Sequence, residues 1–272
     1  MVQPAAERAV AAAGEGIEFL SPPEASDFPE EWYELGDADH FWFEWRLRSF
    51  LAQARDLGLA PDRPLRVLDV GAGAGVLRDQ VEAQSAWVVD IADLNAPALR
   101  QARRGRGRTL CYNILSPEPA LLESYDAVLL FDVLEHIHET RPFVDALLRH
   151  LRPGGHLLVN VPANQWLFGP YDLAAGHVRR YDKVTLPAEF AGTSLEVRDV
   201  RYWGLSLVPL LAVRKLLVRA AASKDACVRH GFEPPNPLAH GVLRALMRAE
   251  TAVLDRPLLG SSLLLAGQRR SA

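Results

Sequence analysis

Short apolar runs alternate with segments of helical spacing through the middle of the chain. Apolar residues dominate at 65–70, 86–90, 108–112, 125–131 and 156–161, and amphipathic stretches or turns separate these runs. A run that is apolar on both faces is typical of a strand covered on both sides, and strands that alternate with helices favour parallel pairing. The pattern therefore predicts a three-layer α/β protein with helices on both faces of a mostly parallel sheet.

The flanks of this alternating region have a different character. An aromatic run at 40–46 leads into apolar residues at helical spacing that stop at Gly58, which predicts a helix with a C-terminal glycine. Later apolar strands at 195–202 and 261–266 bring the predicted sheet to seven strands. We therefore divide the chain into four parts, which are a flexible leader at 1–27, an N-terminal helical lid at 28–60, a core at 61–203, and C-terminal helices with a final strand at 204–272.

A glycine-rich loop directly follows the first predicted strand. Gly71, Gly73 and Gly75 have the spacing G-x-G-x-G, which suits a tight turn and the close approach of a ligand to bare backbone. Asp69 stands two residues before the first glycine, where its carboxylate can organise the loop or meet a cationic ligand. The dinucleotide pattern G-x-G-x-x-G requires a glycine at 76, where this chain has Val76. An NAD-dependent oxidoreductase is therefore the weaker alternative.

An acidic residue follows the loop at the distance expected for a ribose contact. Asp90 ends the second predicted strand, nineteen residues after Gly71. A carboxylate at that position can accept hydrogen bonds from both ribose hydroxyls. The alternative is that Asp90 only caps the helix that follows.

Together these residues resemble the class I S-adenosylmethionine-dependent methyltransferases, in particular bacterial members that act on small molecules. The resemblance covers about residues 60–200 and includes the segments 131–137 and 151–157. It implies a Rossmann-like fold and S-adenosyl-L-methionine as cofactor, with the glycine loop around the methionine part and Asp90 on the ribose. It further implies contacts from residues near the adenine and at the end of the fourth strand, namely Ile91, Asn113, Ile114 and Asp132.

The aromatic run before the core resembles a lid that folds over the cofactor in members of this family. Arg46 can pair with the methionine carboxylate, and the ring of Trp42 can lie near the sulfonium. The alternative is a helix that packs its aromatic side chains onto the core.

The segment after the fifth strand contains candidate groups for the acceptor side. The candidate catalytic residues are His177, His136, Arg179 and Tyr181. His177 is the first choice for a base and His136 the second, because imidazole titrates in the range that proton transfer requires. Arg179 and Arg180 can recognise an anionic group, or one of them can pair with Asp172 or Asp182 only to hold the fold. Because the sulfonium already activates the methyl group, positioning can supply most of the rate, and a base is not mandatory.

The net charge and the cysteine content indicate which classes of binding partner and bound metal are not expected. The formal net charge of −4 argues against a dedicated nucleic-acid binder, which usually carries a basic face. Cys111 and Cys227 have no metal-ligand spacing, so we expect neither a disulfide scaffold nor a metal site, and a cytoplasmic location is the default. No apolar run is long enough to cross a bilayer.

An apolar helix is expected from Gly204 to about residue 223. We expect it to line a substrate pocket, pack in the core or form a homodimer contact, and we favour these roles over peripheral membrane association.

Taken together, the sequence predicts methyl transfer to an O or N atom of a small molecule, such as a sugar or a natural-product intermediate. C-methylation is a competing reaction on the same fold, and a cofactor-binding protein without catalytic activity is also compatible with these residues.

Overall fold

The computed structural model describes residues 16–24, 40–218, 237–254 and 256–271. The strands in these ranges are β1 (Ile17–Phe19), β2 (Arg66–Val70), β3 (Val88–Asp93), β4 (Thr109–Cys111), β5 (Tyr125–Phe131), β6 (Leu151–Pro162), β7 (Leu195–Trp203) and β8 (Ser262–Arg269). The α-helices are α1 (Phe41–Asp56), α2 (Val76–Gln84), α3 (Ala96–Gln101), α4 (Thr140–Leu148), α5 (Pro170–Ala174), α6 (Thr185–Ala188), α7 (Val208–Val218) and α8 (Pro237–Val253).

All eight strands belong to one sheet, in the order β1-β4-β3-β2-β5-β6-β8-β7. The strands from β1 to β6 pair in parallel, whereas β8 is antiparallel to both of its neighbours. The predicted α/β architecture with a mostly parallel sheet is confirmed. From β2 the chain continues to β3 and β4 on one side of the sheet and then crosses to β5 and β6 on the other side. Open α/β sheets bind ligands at such a switch point, which here lies between β2 and β5.

The predicted count of seven strands is wrong by one, because β1 lies inside the segment expected to be a flexible leader. Ile17 is only 2% exposed and belongs to the same hydrophobic cluster as residues of α1 and β2, and β1 pairs in parallel with β4. A strand of three residues between Gly16 and Leu20 has too short an apolar pattern to be recognised from sequence. Residues 1–15 and 25–27 of the predicted leader and 28–39 of the predicted lid lie outside the described residues.

Two hydrophobic clusters cover the two faces of the sheet. Successive strand residues alternate between them, so that Val128 and Leu130 pack on the side of α4, whereas Ala127 and Leu129 pack on the side of α1 and α2. This alternation follows from the two-residue period of a strand. The three predicted layers are thus present, and the carboxyl ends of the strands are left open at one edge.

Two C-terminal helices, α7 and α8, precede the final strand β8. Within the apolar segment expected to form a helix from Gly204 to about residue 223, α7 occupies 208–218, and residues 219–236 lie outside the described residues. Arg214 of α7 lies over the ring of Tyr171 in α5, with 4.0 Å between the guanidinium carbon and the ring centroid. No helix in the described parts of the chain is both long and apolar enough to span a bilayer.

The assignment of β1 to the folded core has a direct test. We expect Ile17→Ala to lower the free energy of unfolding by about 2–5 kcal/mol, because it removes a buried aliphatic side chain and leaves a cavity. The matched control is Leu115→Ala, whose side chain is 54% exposed and should cost less than about 0.5 kcal/mol. Urea unfolding of the two variants and the wild-type chain measures both effects. If Ile17→Ala is as stable as Leu115→Ala, β1 does not belong to the folded core.

Candidate active site

The carboxyl ends of β2, β3, β5 and β6 bring several polar groups to one edge of the sheet. The register pairs Val70 with both Ala92 and Leu130, so the residues that follow these strands are neighbours. Phe131 is paired with Asn160 of β6, and the Asp132 backbone N–H donates to the Asn160 carbonyl at 2.8 Å. The predicted glycine loop and Asp132 therefore meet at the edge where ligands collect in parallel sheets.

The glycine loop has a backbone that only glycine adopts easily. Gly71 and Gly73 have φ angles of 73° and 54°. A Cβ on Gly71 would also lie 2.4 Å from Cγ2 of Val133, so no side chain fits between the loop and the turn after β5. Gly75, with φ of 74°, begins α2. The loop thus keeps bare backbone at the sheet edge.

The acid at the end of β3 is Asp93, and the prediction that Asp90 ends this strand is wrong. Asp90 is only 4% exposed and accepts hydrogen bonds from the Arg108 backbone N–H at 2.7 Å and the Tyr125 hydroxyl at 2.9 Å. These bonds satisfy a carboxylate in mid-strand, so the strand continues past it. Asp93 is half-buried at the open edge, and its Oδ2 accepts from the Gly73 N–H at 2.8 Å.

The residues that were predicted to contact adenine differ in how far they are exposed to solvent. Ile91 is fully buried in the middle of β3 and packs in the core. Ile114 is also buried in the core at 5% exposure. Asn113 is half-buried beyond β4, and its Oδ1 accepts from the Leu115 N–H at 2.9 Å. Among these residues, Asn113 is the one that combines polar groups with partial exposure near the edge.

Arg46 of α1 is joined to the sheet edge by a network of buried polar groups. Its Nη1 donates to Asp132 Oδ2 at 2.6 Å, and Asp132 Oδ1 accepts from the Asn160 side-chain amide at 2.8 Å. Asn160 in turn accepts from the Trp203 indole N–H at 2.8 Å. Trp42 packs on this group, with its ring centroid 4.9 Å from the Arg46 guanidinium carbon. Both predicted lid residues therefore lie at the candidate site.

Three polar side-chain atoms in this region are buried without a hydrogen-bond partner among the described residues. They are Oδ2 of Asp69, Nε of Arg46 and Nε of Arg78. Burial raises the pKa of Asp69 to about 7, against the opposing effect of Arg46 and Arg78. An unsatisfied buried acceptor and donor in one place are a strong reason to expect a polar ligand.

A second polar group lies at the same edge, in the segment after β6. His177 Nδ1 lies 2.9 Å from Asp172 Oδ1, and Arg180 Nε donates to the same oxygen at 2.7 Å. Burial raises the pKa of Asp172, but the hydrogen bonds from His177 and Arg180 outweigh it and bring the value below normal. Asp172 is therefore an ionised acceptor that orients His177.

Glu135 and His136, which follow β5, complete what we call the His–Glu cluster, formed by Glu135, His136 and His177. The backbone N–H of Val178 donates to the Glu135 carbonyl at 2.9 Å, which ties the two segments together. The two imidazole rings are 4.9 Å apart between centroids, in an edge-to-face arrangement. Burial and the nearby His177 lower the pKa of His136 to about 4, and burial raises the pKa of Glu135 well above its usual range.

The other two predicted catalytic residues are turned away from this cluster. Tyr181 is 1% exposed, and its hydroxyl donates to the Leu134 carbonyl at 3.4 Å inside the core. Arg179 donates to the His138 carbonyl at 3.0 Å and lies 3.6 Å from Glu189. The structural role considered for the arginine pair holds for Arg180, which is bound to Asp172. We therefore retain only the histidines as catalytic candidates.

Sequence reasoning missed Asp93, Asn160 and the pairing of Asp172 with His177. A signal for Asp93 was present, because the apolar residues Ile91 and Ala92 continue the strand beyond Asp90. No sequence signal marks Asn160, since its role depends on contacts with Asp132 and Trp203, which are far from it in the chain. Asp172 lies five residues before His177, and from the sequence it was considered only as a partner for an arginine.

Comparison with known proteins gives a consistent result. Residues 36–203 match a family model described as a methyltransferase domain. The ubiquinone biosynthesis O-methyltransferase of Idiomarina loihiensis is 31% identical over 121 residues, which cover 42% of this chain and 49% of that protein. The chain thus spans about half the length of such curated relatives, with values from 41% to 63% for three of them.

Solved structures show the same fold at low sequence identity. The [4+2]-cyclase SpnF aligns with a TM-score of 0.52 and 18% identity over 81% of each chain. Phosphoethanolamine N-methyltransferase 2 of Haemonchus contortus, in complex with S-adenosyl-L-methionine, aligns with a TM-score of 0.50 and 18% identity. That match covers 81% of this chain and 52% of the nematode protein. At these identities the similarity establishes the Rossmann-like fold, and the predicted fold class is confirmed.

The raised pKa of Asp69 predicts a specific pH dependence of stability. The folded chain holds a proton on Asp69 up to about pH 7, whereas the unfolded chain releases it near its ordinary value of 3.8. The unfolding free energy should therefore fall as pH rises from about 4 to 7. The charged groups that face Asp69 are Arg46, Arg78, Asp93 and Asp132.

Asp69→Asn removes this titration and leaves the other groups in place. Between pH 5 and 7.5, the wild-type chain should lose on the order of 2–3 kcal/mol relative to Asp69→Asn. Urea unfolding at a series of pH values gives the difference directly. Parallel curves for the two proteins would mean that Asp69 is ionised throughout the range.

Proposed function

The chain belongs to the methyltransferase domain family. From this premise we propose that it is a class I S-adenosylmethionine-dependent methyltransferase and that it methylates a hydroxyl oxygen of a small molecule. The observation that carries the proposal is the contact between His177 and Asp172 beside the open edge of the sheet. The family match favours a methyltransferase over an oxidoreductase.

The residues at the edge fit S-adenosylmethionine. Its ammonium group can donate to the unsatisfied Oδ2 of Asp69, and its carboxylate can accept from Arg46, whose Nε is buried without a partner among the described residues. Gly71 and Gly73 leave room for the methionine part of the cofactor against their backbone. When bound, the cofactor supplies a methyl group activated by the adjacent sulfonium.

We assign the ribose contact to Asp93 in place of Asp90. Both oxygens of Asp93 already accept one backbone N–H each, from Gly73 and Asn95, but a carboxylate has about four lone-pair sites and can accept further bonds. Asp93 is half-buried at the edge, whereas Asp90 is enclosed in the sheet. Asn113 is the remaining polar side chain of the predicted adenine region, and we keep it as a contact on that side.

On the acceptor side, we assign to His177 the role of taking the hydroxyl proton. If Asp172 holds the proton-bearing Nδ1, the Nε2 of His177 is the basic nitrogen. The acceptor O–H proton would pass to Nε2, which would leave the acceptor oxygen able to bond to the methyl group that bound S-adenosylmethionine would supply, with S-adenosylhomocysteine as the leaving group.

A base favours a hydroxyl acceptor over an amine. A neutral amine attacks with its own lone pair and needs no proton removed first, whereas a hydroxyl is a weak nucleophile until its proton is drawn away. The relative in Idiomarina loihiensis is named an O-methyltransferase, which supports the same preference. The predicted absence of a nucleic-acid partner, the cytoplasmic location and the homodimer stay predictions.

The first test separates the two acids of β3. Asp93→Asn should weaken binding of S-adenosylhomocysteine by about 10- to 100-fold, because a charge-assisted hydrogen bond contributes about 1.5–3 kcal/mol. Asp90→Asn is the matched control, and we expect cofactor affinity within about threefold of wild type but a loss of about 1–3 kcal/mol in stability. Isothermal titration calorimetry and urea unfolding measure the two quantities. If Asp90→Asn weakens S-adenosylhomocysteine binding more than Asp93→Asn does, Asp90 and not Asp93 is the ribose contact.

The second test addresses the base. His177→Asn should lower kcat on a hydroxyl acceptor by about 100-fold or more, which is the usual contribution of a general base, while leaving the affinity for S-adenosylhomocysteine unchanged. His138→Asn is the control, because its side chain is exposed and takes no part in the site. Acceptors found by incubating the protein with labelled cofactor and a panel of small phenols and sugars provide the assay, and mass spectrometry identifies the methylated product. Full turnover by His177→Asn would leave this histidine with a structural role.

A further inference from the structure

The His–Glu cluster has the composition of a metal site. Glu135, His136 and His177 each offer one ligand atom, and these atoms all lie within 4.8 Å of one another. We propose that the cluster binds a divalent transition-metal ion through the two imidazoles and the carboxylate. Sequence spacing does not indicate this site, because the cysteines lack ligand spacing and the three ligands come from two separate segments.

The spacing of the groups is close to what such an ion requires. His177 Nε2 lies 3.9 Å from Glu135 Oε1. An ion with tetrahedral bonds of about 2.1 Å holds its ligand atoms about 3.4 Å apart, so the ligand atoms would have to move closer by about 0.5 Å for this pair and by up to about 1.4 Å within the cluster. Glu135 is 1% exposed, and its Oε2 is buried without a hydrogen-bond partner among the described residues. A cation would satisfy that carboxylate, which the surrounding protein does not.

The groups behind the histidines are those that orient metal ligands. Asp172 Oδ1 lies 2.9 Å from Nδ1 of His177, and the Gly176 carbonyl lies 3.2 Å from Nδ1 of His136. A ligand histidine in a metal site almost always donates its other ring N–H to a carboxylate or a backbone carbonyl, and both kinds of partner occur here. The Asp172 carboxylate is in turn fixed by the buried Arg180. The imidazoles are therefore held in place before any ion arrives.

The donor set selects the class of ion. Two imidazole nitrogens and one carboxylate oxygen suit Zn²⁺, Co²⁺ or Fe²⁺, whereas Mg²⁺ and Ca²⁺ prefer oxygen ligands throughout. Three protein ligands also leave at least one coordination position for a further oxygen.

The role of the ion rests on the proposed function, although its binding does not. A hydroxyl that coordinates a divalent cation loses its proton more easily, and the proton passes to solvent water. In that case His177 is a ligand and does not serve as the base, so the two roles predict different responses to a chelator. Without an ion the cluster would act through His177 alone.

The test uses untagged protein that has been freed of metal with a chelator and then titrated with Co²⁺. Visible absorption reports Co²⁺ bound to nitrogen ligands, and calorimetry with Zn²⁺ gives the affinity without reference to activity. We expect saturation at one ion per chain, the same result for His138→Asn, and an affinity at least about 10- to 100-fold lower in Glu135→Gln, His136→Asn and His177→Asn. Asp172→Asn should fall in the same range, because it removes the group that orients His177.

Failure of the metal proposal and failure of O-methylation give different results. If wild-type protein takes up no Co²⁺ or Zn²⁺, or takes it up as well as the ligand variants do, the metal site is overturned, while hydroxyl methylation through His177 stands. Circular dichroism and S-adenosylhomocysteine binding identify any variant that has not folded, and the remaining ligand variants then decide the question. Turnover that survives chelation in a protein that binds Co²⁺ would remove the catalytic role of the ion.

Discussion

The ion pair between Arg46 and Asp132 connects the helix that covers the site to the edge of the sheet. Its 2.6 Å contact joins α1 to the turn after β5, and Asn160 holds the second oxygen of the same carboxylate. Asp132 has a φ of 58°, an unfavourable angle for a residue with a side chain, so its partners must hold the turn in place. The same turn presses Val133 against Gly71 on one side and leads to Glu135 on the other. One strained residue thus sets the relative position of the cofactor loop and the acceptor cluster.

Charge explains why this arrangement suits a cationic ligand. Asp69 faces two further carboxylates, Asp93 and Asp132, and two buried guanidiniums, those of Arg46 and Arg78. It holds its proton to about pH 7 because burial penalises the carboxylate. Removing charges from water is costly unless they are paired. A ligand with a sulfonium and an ammonium group would supply the missing positive charge, and its carboxylate would meet Arg46. Under the proposed function, the excess of acid therefore favours a cationic ligand and reduces the stability of the chain without it.

Sequence patterns predicted what depends on local chemistry. The strand at 125–131, the glycine loop, the helix that begins near Phe41 and the position of Arg46 all follow from periodicity and residue type. Asp90 was misplaced because an acid in an apolar run resembles a strand end, and only the hydrogen bonds from Arg108 and Tyr125 allow it to stay inside the sheet. Tyr181 was misplaced for a related reason, since nothing in its neighbourhood shows that it points into the core. In both cases tertiary contacts overrode the local pattern.

The acceptor side could not be predicted from spacing, because its parts meet only through the order of the strands. Glu135 follows β5 and His177 follows β6, and these strands are neighbours in the sheet. The His177 segment is anchored separately, by the buried pair of Asp172 and Arg180. Under the proposed function, changes elsewhere in that segment can therefore alter the acceptor side without disturbing the glycine loop after β2. The same separation then explains why the fold indicates the methyl donor, whereas the acceptor depends on a segment that the fold only holds in place.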